Sequence, residues 1–140
     1  SQPLWSLAHI PNERIMDPTH AVMNEAMRRY HEQTKLACVP FSSQANGYFQ
    51  RAAAGTLDKM GAHSRRMYGD AENTRRAARV QHVASETGWS ISDIVLSYLL
   101  SQPFAVFPII GPKNLAQLTD SLGAADKRLT PQQVAYLDAG

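Results

Sequence analysis

The sequence predicts a parallel α/β fold in which short strands alternate with helices. Short apolar runs at residues 3–8, 35–41 and 105–110 have the composition of strands, and the middle run is continuous rather than alternating, which is typical of a strand buried on both faces. Apolar residues at helical spacing follow each run. This order of strand, helix, strand, helices, strand and helix predicts a parallel sheet with right-handed crossovers.

The first helix is predicted to start at Asp17, which can cap it, with Pro18 as the first helical residue. The apolar residues of its predicted buried face are Val22, Met23, Ala26, Met27 and Tyr30. Pro40 should end the second strand, because proline cannot donate a hydrogen bond to a ladder.

Residues from about 42 to 70 are predicted to form the longest loop of the chain. Glycines interrupt any long pattern there, at Gly47, Gly55, Gly61 and Gly69. One short helix around Leu57 is the only regular element expected. Loops of this length are usually functional lids or disordered segments.

The second half of the chain carries several helix signals. A helix is predicted over residues 71–87, with Gly88 just after its last turn, and the next begins at Ser90 with a capping box. Asn114 is the predicted cap of the helix after the third strand. Thr130, followed by proline and by glutamine three residues on, starts the last helix.

Composition limits the class of protein. The 140 residues, 44% hydrophobic and 19% charged, suffice for one domain with its own core, so residues 1–140 are interpreted as a single domain. The formal charge of +2 is too small to indicate nucleic acid or a membrane surface as a partner. No apolar run approaches the roughly 18 residues of a membrane span, and the N-terminus lacks a signal-peptide layout. A cytoplasmic location is therefore expected.

The cysteine and histidine content predicts no disulfide and no metal site. Cys38, the only cysteine, lies in an apolar run and is expected to be a buried, inert thiol. The five histidines show no pairing with metal-ligand spacing.

The turn after the third strand is a candidate anion site. Gly111 allows a ligand to approach free backbone N–H groups at the positive end of the helix dipole, and Lys113 adds a charge. Spacing alone leaves two interpretations open, a phosphate-binding turn and a plain turn capped by Asn114. Neither a G-x-G-x-x-G fingerprint nor a P-loop is present.

Three segments stand out by their order along the chain: SQPLWSL, PFSSQANGYF and PIIGPKNLAQLTDSLGAAD. They resemble the last three strand-turn segments of the aldo-keto reductases, which are (β/α)8 barrels that use NADP(H). Residues 68–103 are similar to the two helices before the final strand of that family. The resemblance implies the C-terminal half of a TIM-type barrel, from the sixth strand to the eighth helix, with about three parallel strands and crossover helices.

The resemblance also implies residues for the nicotinamide and pyrophosphate parts of the cofactor. Gln2 matches the glutamine that hydrogen-bonds the carboxamide, and Phe41 matches the aromatic residue that stacks on the nicotinamide ring. Ser42 and Gln44 match the turn that holds the pyrophosphate. Trp5 occupies a position where an aromatic residue is common, and a core role is an equal alternative.

At the adenosine end, Gly111 and Lys113 match the turn near the phosphate. Gln117, Asp120 and Ser121 match helix positions that hold the adenine and the ribose. A charge-assisted contact between Lys113 and a 2′-phosphate would favour NADP over NAD, and a solvated turn lysine is the alternative.

The implied function is NADPH-dependent reduction of a small carbonyl substrate, an aldehyde or a ketone. The family's catalytic tetrad of Asp, Tyr, Lys and His lies on earlier barrel strands. This chain is therefore expected to bind the cofactor, to contain no catalytic residue and to be inactive alone. Arg65, Arg66 and Tyr68 are candidates to close over the ligand, with a solvated loop as the alternative. Other readings are a non-catalytic nucleotide-binding or regulatory module of the same fold, and a structural domain.

A partial barrel leaves two sheet edges and an apolar inner face uncovered. We therefore expect the chain to be a piece of a longer protein, which self-associates on its own or needs the N-terminal half of the barrel. The sequence carries no signal for the identity of the substrate.

Overall fold

The structure is a computed structural model that describes residues 1–139. Seven α-helices lie in this range: α1 Glu25–Thr34, α2 Tyr48–Ala53, α3 Ala62–Tyr68, α4 Ala71–Thr87, α5 Ile91–Leu100, α6 Leu115–Leu122 and α7 Pro131–Asp138. Short 3-10 turns are at Asn12–Arg14, Ala45–Gly47 and Leu57–Lys59. None of the helices described is both long enough and apolar enough to pass through a bilayer.

Three extended segments lie side by side in parallel. The first pairs with the second between Leu4 and Phe41, and the second pairs with the third between Cys38 and Val106. In the described part of the chain these contacts are isolated bridges, and three backbone hydrogen bonds join each neighbouring pair of segments. A proline stands in each segment, at Pro3, Pro40 and Pro108. Because proline has no N–H to donate, Pro3 and Pro40 each interrupt the run of hydrogen bonds between neighbouring segments.

Helix α1 begins at Glu25, so the predicted start at Asp17 is wrong. The Asp17 carboxylate accepts hydrogen bonds from the backbone N–H and the hydroxyl of Thr19, at 2.9 and 2.6 Å, and thereby closes a turn. Asn24 is the N-cap of α1, and its side chain accepts from the N–H of Met27.

Residues 21–23, predicted to be helical, instead pair with the first extended segment. The Leu4 N–H donates to the Ala21 carbonyl at 2.8 Å, and the Met23 N–H donates to the Leu4 carbonyl at 3.1 Å. This pairing uses the edge of Leu4 that faces away from Phe41. Tertiary pairing therefore outweighs the helical spacing of these residues.

The segment from about 42 to 70 is mostly helical, so the prediction of a long loop is wrong. The short helix expected around Leu57 is present as a 3-10 turn. Helices α2 and α3 form as well, because the aromatic side chains of Tyr48 and Tyr68 are buried in the core and anchor them.

Helices α4 and α5 share one hydrophobic core with the extended segments. Side chains no more than 2% exposed include Leu4, Leu7, Cys38, Tyr48, Val80, Val83, Ile94, Tyr98 and Leu99. Trp5 stacks on Phe104, with ring centroids 5.9 Å apart, so it has a packing role. The predicted burial of Cys38 is confirmed, and this burial raises the pKa of its thiol to about 11.

The helix boundaries predicted in the second half of the chain are confirmed. Helix α4 ends before Gly88, which is left-handed with φ 70°, and Ser90 forms a capping box at the start of α5. Asn114 caps α6, and Thr130 caps α7 in a second capping box. Each boundary depends on hydrogen bonds within three or four residues.

Asp138 at the end of α7 connects four helices. Its carboxylate accepts from Arg28 of α1 at 2.7 Å and from the Tyr98 hydroxyl of α5 at 2.9 Å, and Arg76 of α4 lies 3.4 Å away. Burial acts to raise the pKa of Asp138, but the hydrogen bond and charge of Arg28, with smaller effects from Tyr98 and Arg76, lower this pKa below its usual 3.8. The last helix is therefore attached through a charged cluster.

We predict that Asp138→Asn lowers the free energy of unfolding at pH 7 by about 1–3 kcal/mol, because charge-assisted hydrogen bonds are lost at a partly buried site. Since the folded pKa is depressed, the unfolded chain takes up the proton first, and this stabilisation is complete above about pH 5 and declines as the pH falls below about 4. Urea denaturation at pH 7 and pH 3 measures both effects. Asp126→Asn, at an exposed carboxylate, is the control, and equal losses in the two variants would contradict the prediction.

Candidate functional site

A cleft of about 830 Å³ opens where the second and third extended segments end. Its walls are the turn after the second segment, helices α2 and α3, the turn after the third segment, and α6. The volume is within the range of sites that hold cofactors and other small molecules, about 300–1,000 Å³. The carboxyl ends of parallel strands are the usual place for such a site.

Most of the predicted cofactor-binding residues line this cleft: Ser42, Gln44, Gly111, Lys113, Gln117, Asp120 and Ser121. Gln2 and Phe41 lie outside it. Gln2 is exposed at the start of the first segment, and Phe41 is half-buried on the second, with the His20 ring 5.1 Å away in an edge-to-face arrangement. The structure thus gathers the residues predicted for pyrophosphate and adenosine, and it separates them from the two predicted for nicotinamide.

The turn after the second segment has an unusual backbone conformation. Ser42 has φ 53°, and residues 45–47 also have positive φ values. The N–H groups of Ala45 and Gly47 donate within the turn, to the carbonyls of Ser42 and Gln44 at 2.8 and 2.9 Å. Gly47, at φ 77°, adopts this conformation without strain. The Ser43 hydroxyl donates to the Ile109 carbonyl at 2.6 Å and joins this turn to the third segment.

Side chains of α6 hold the cleft walls together. Gln44 Nε2 donates to the Ser121 hydroxyl at 3.2 Å. The backbone N–H of Lys113 donates to Gln117 Oε1 at 2.8 Å and ties the turn after the third segment to the first turn of α6. Both glutamines are thus engaged with the protein, whereas Lys113 is exposed.

A chain of three hydrogen-bonded side chains runs along one wall. Gln50 of α2 donates to the Ser92 hydroxyl at 3.0 Å, and that hydroxyl donates to the Asp120 carboxylate. Gln50 Oε1 is buried and has no hydrogen-bond partner among the described residues. Sequence reasoning missed Gln50 and Ser92, because neither belongs to a motif and both reach the cleft through helix packing.

Residues just before α3 and in its first turn form a further wall of the cleft. Met60 and Ser64 are part of the lining. Asn46 Nδ2 donates to the Ser64 hydroxyl at 3.2 Å, which connects α3 to the turn after the second segment.

The structure changes which arginine of this region faces the cleft. The sequence candidates Arg65, Arg66 and Tyr68 do not line it, and Tyr68 is fully buried in the core. Arg51 of α2 lines it instead and, with Lys113, gives the lining a net positive charge. The sequence shows Arg51 as one of several scattered basic residues, so no signal distinguished it.

Within residues 1–139 no tyrosine lines the cleft. Tyr48, Tyr68 and Tyr98 are buried in the core, and burial raises the pKa of Tyr68 to about 12. Tyr30 and Tyr136 are exposed on α1 and α7. Residues 1–139 also contain no group of three His, Cys, Asp or Glu side chains that could hold a metal ion. The described part of the chain therefore brings binding groups to the cleft, but no phenolic proton donor.

Comparison of the sequence with known proteins finds relatives of one kind. The sequence model of the Aldo/keto reductase family matches residues 10–140. The chain is 29% identical over 110 residues to the Saccharomyces cerevisiae protein named "putative aryl-alcohol dehydrogenase AAD10", covering 74% of this chain and 38% of that protein. It is 29% identical over 109 residues to the aldo-keto reductase ausK of Aspergillus calidoustus, covering 74% and 28%.

A solved structure has a similar fold. It is a crystal structure of a thermostable aldo-keto reductase with the inhibitor epalrestat, and it matches with a TM-score of 0.57 and 16% identity, over 99% of this chain and 38% of that chain. At this identity the match shows the fold alone, which is part of a TIM-type barrel. The chain spans between 28% and 38% of the length of these three proteins.

We predict that Gly47→Ala lowers the free energy of unfolding by about 1 kcal/mol, because alanine at φ 77° is strained. Gly111→Ala is the matched control, since Gly111 is not left-handed and an added Cβ would meet no protein atom within 4 Å. Urea denaturation compares the two variants. An equal loss of unfolding free energy in Gly111→Ala would contradict this prediction. It would show that the backbone itself requires glycine at position 111.

Proposed function

Because this chain belongs to the aldo/keto reductase family, we propose that it is the C-terminal part of a (β/α)8 barrel, from the sixth strand to the eighth helix. We further propose that the protein containing it reduces an aldehyde or a ketone with NADPH. The chain would supply the cofactor-binding portion, and the catalytic tetrad would come from strands that precede Ser1. The chain alone would then be inactive.

The observation that carries this proposal is the convergence of two distant segments on one cleft. Ser42 and Gln44 come from one segment, and residues 111–121 come from the other. The family resemblance implies cofactor binding for both segments, and a dinucleotide needs its binding groups in one cleft.

The lining also suits the chemical groups of a dinucleotide phosphate. Arg51 and Lys113 are cations for phosphate oxygens. Arg51 Nε and Gln50 Oε1 are buried without hydrogen-bond partners among the residues described, so the protein leaves both of these polar groups unsatisfied beside the cleft. Asp120 offers carboxylate oxygens to hydroxyl or amino groups.

Under this proposal each predicted residue has a binding or orienting role. The Ser42 turn and Gln44 hold the pyrophosphate, Lys113 contacts the 2′-phosphate, and α6 holds the adenine and ribose. Gln2 and Phe41 orient the nicotinamide ring beyond the end of the cleft. When bound, the cofactor supplies a hydride to the carbonyl carbon of the substrate. The proton that completes the alcohol comes from outside the described residues.

A non-catalytic nucleotide-binding or regulatory module of the same fold is the second candidate. One observation favours it, since binding groups line the cleft while no tyrosine of residues 1–139 does. Turnover separates the two candidates. Oxidation of NADPH by the full-length protein with a panel of aldehydes and ketones supports the enzyme, whereas tight NADPH binding without turnover supports the module.

An uncovered apolar surface supports the proposal that further strands complete the barrel. Phe107 and Ile109 project from the third segment on the same face, 61% and 40% exposed. Leu115 and Leu122 of α6 are 76% and 57% exposed. We propose that the N-terminal half of the barrel covers this surface.

The cytoplasm remains the expected location.

For cofactor choice, Lys113→Gln is expected to weaken NADPH binding about tenfold or more and to leave NADH binding nearly unchanged, because only NADPH carries the 2′-phosphate. Fluorescence titration of the full-length protein with each dinucleotide measures this. Lys59→Gln, an exposed lysine outside the lining, is the control. Equal losses for NADPH and NADH would overturn the contact with the 2′-phosphate.

The chain expressed alone is expected to form oligomers and to bind a dye for apolar surfaces, because its inner face is exposed. Light scattering and dye fluorescence test this expectation. Phe107→Ser should reduce both signals by removing the most exposed aromatic of that face. A monodisperse monomer without dye binding would rule out the uncovered face.

A further inference from the structure

Arg51 is unusual among the arginines of this chain. Four other arginines are buried or half-buried in the described part, and each has a partner: Arg14 with Asp70, Arg28 with Asp138, Arg76 with Glu72 and Arg79 with the Tyr136 carbonyl. Arg51 is half-buried, yet within residues 1–139 its side chain makes no hydrogen bond and no ion pair, and its Nε is fully buried. A buried Nε without a partner is unfavourable, and a ligand that binds the guanidinium from the cleft would explain why the protein supplies none.

The position of Arg51 indicates what kind of ligand is missing. Arg51 lines the cleft from α2, and Lys113 lines it from the turn after the third segment. Asp120 is the acidic residue of this lining, and its carboxylate accepts from Ser92 rather than from either cation. The cleft thus has one cation on each of two walls, and the protein neutralises neither of them.

We propose that Arg51 binds the pyrophosphate of the dinucleotide, while Lys113 serves the phosphate on the ribose; this inference rests on the proposed function. Arg51 lies on α2, the helix that follows the turn of residues 42–47, and this turn is the segment that the family resemblance matches to the pyrophosphate. The planar fork of a guanidinium matches two adjacent phosphoryl oxygens, which a pyrophosphate offers. Lys113, a point charge on the opposite wall, suits a single phosphate.

The two cations therefore have different consequences for selectivity. The pyrophosphate is common to NADPH and NADH, so Arg51 contributes equally to both. The ribose phosphate occurs only in NADPH, so Lys113 contributes to one. Overall affinity and cofactor choice are thus assigned to different residues.

The test uses fluorescence titration of the full-length protein with NADPH and with NADH. Arg51→Gln is expected to weaken both by the same factor, at least about tenfold. Arg51→Lys should recover part of the loss, since it restores the charge without the fork. Arg75→Gln is the matched control, because Arg75 is exposed, lies outside the lining and carries the same charge.

Each outcome decides between the proposals. Unchanged affinities in Arg51→Gln overturn the role of Arg51 and leave the proposed function intact. A loss confined to NADPH overturns its assignment to the pyrophosphate. If the wild type binds neither dinucleotide, the proposed cofactor site fails, and this inference fails with it.

Two further measurements distinguish the loss of a ligand contact from a structural defect in the variant. The urea midpoint of Arg51→Gln without ligand should be no lower than that of the wild type, because no hydrogen bond or ion pair is lost. If Arg51→Gln does not fold, competition between inorganic pyrophosphate and NADPH in the wild type and in Arg51→Lys replaces it. With NADPH held at the same multiple of its own Kd in each protein, pyrophosphate should displace NADPH at a concentration several-fold higher in Arg51→Lys, and equal displacement under these conditions would overturn the proposal.

Discussion

The fold depends on three parallel extended segments that are held together by backbone pairing and by burial against helices. Three backbone hydrogen bonds join each neighbouring pair of segments, and Pro3 and Pro40 each interrupt one run because proline has no N–H to donate. The bridge residues Leu4, Cys38 and Val106 are buried in one core with side chains of α4 and α5, and this burial keeps the segments in register. Because the segments are parallel, their carboxyl ends meet at one edge.

The cleft follows from that register. The turns after the second and third segments meet at the shared edge, and the bond from Ser43 to Ile109 joins them. Tyr48 and Tyr68 anchor α2 and α3 in the core and leave polar residues of these helices along the cleft. Arg51 and Lys113 then lie on different walls, and no acidic side chain of the described residues pairs with either of them.

The described residues line the cleft with binding groups but with no phenolic proton donor. They gather groups that suit a phosphate-bearing cofactor, and they bring no tyrosine to the cleft. Phe107 and Ile109 leave an apolar face uncovered. Both features are explained if the binding groups and the reacting groups belong to different strands of one barrel, because closing the barrel would cover the face and bring the two sets together.

By itself the sequence determined the features that depend on a few neighbouring residues. The caps at Ser90, Asn114 and Thr130 and the inert Cys38 could be read directly, since a cap needs three or four residues and an apolar run predicts burial. The ordered motifs likewise indicated the family and seven of the residues that line the cleft.

Only the tertiary structure decided features that join distant parts of the chain. Residues 21–23 are extended because Leu4 offers an open edge, which outweighs the local signal at Asp17. The segment from 42 to 70 is helical because core burial compensates for its glycines. The sequence gives no sign that Arg51 has no hydrogen-bond partner. This can be seen only when the positions of all neighbouring side chains are known.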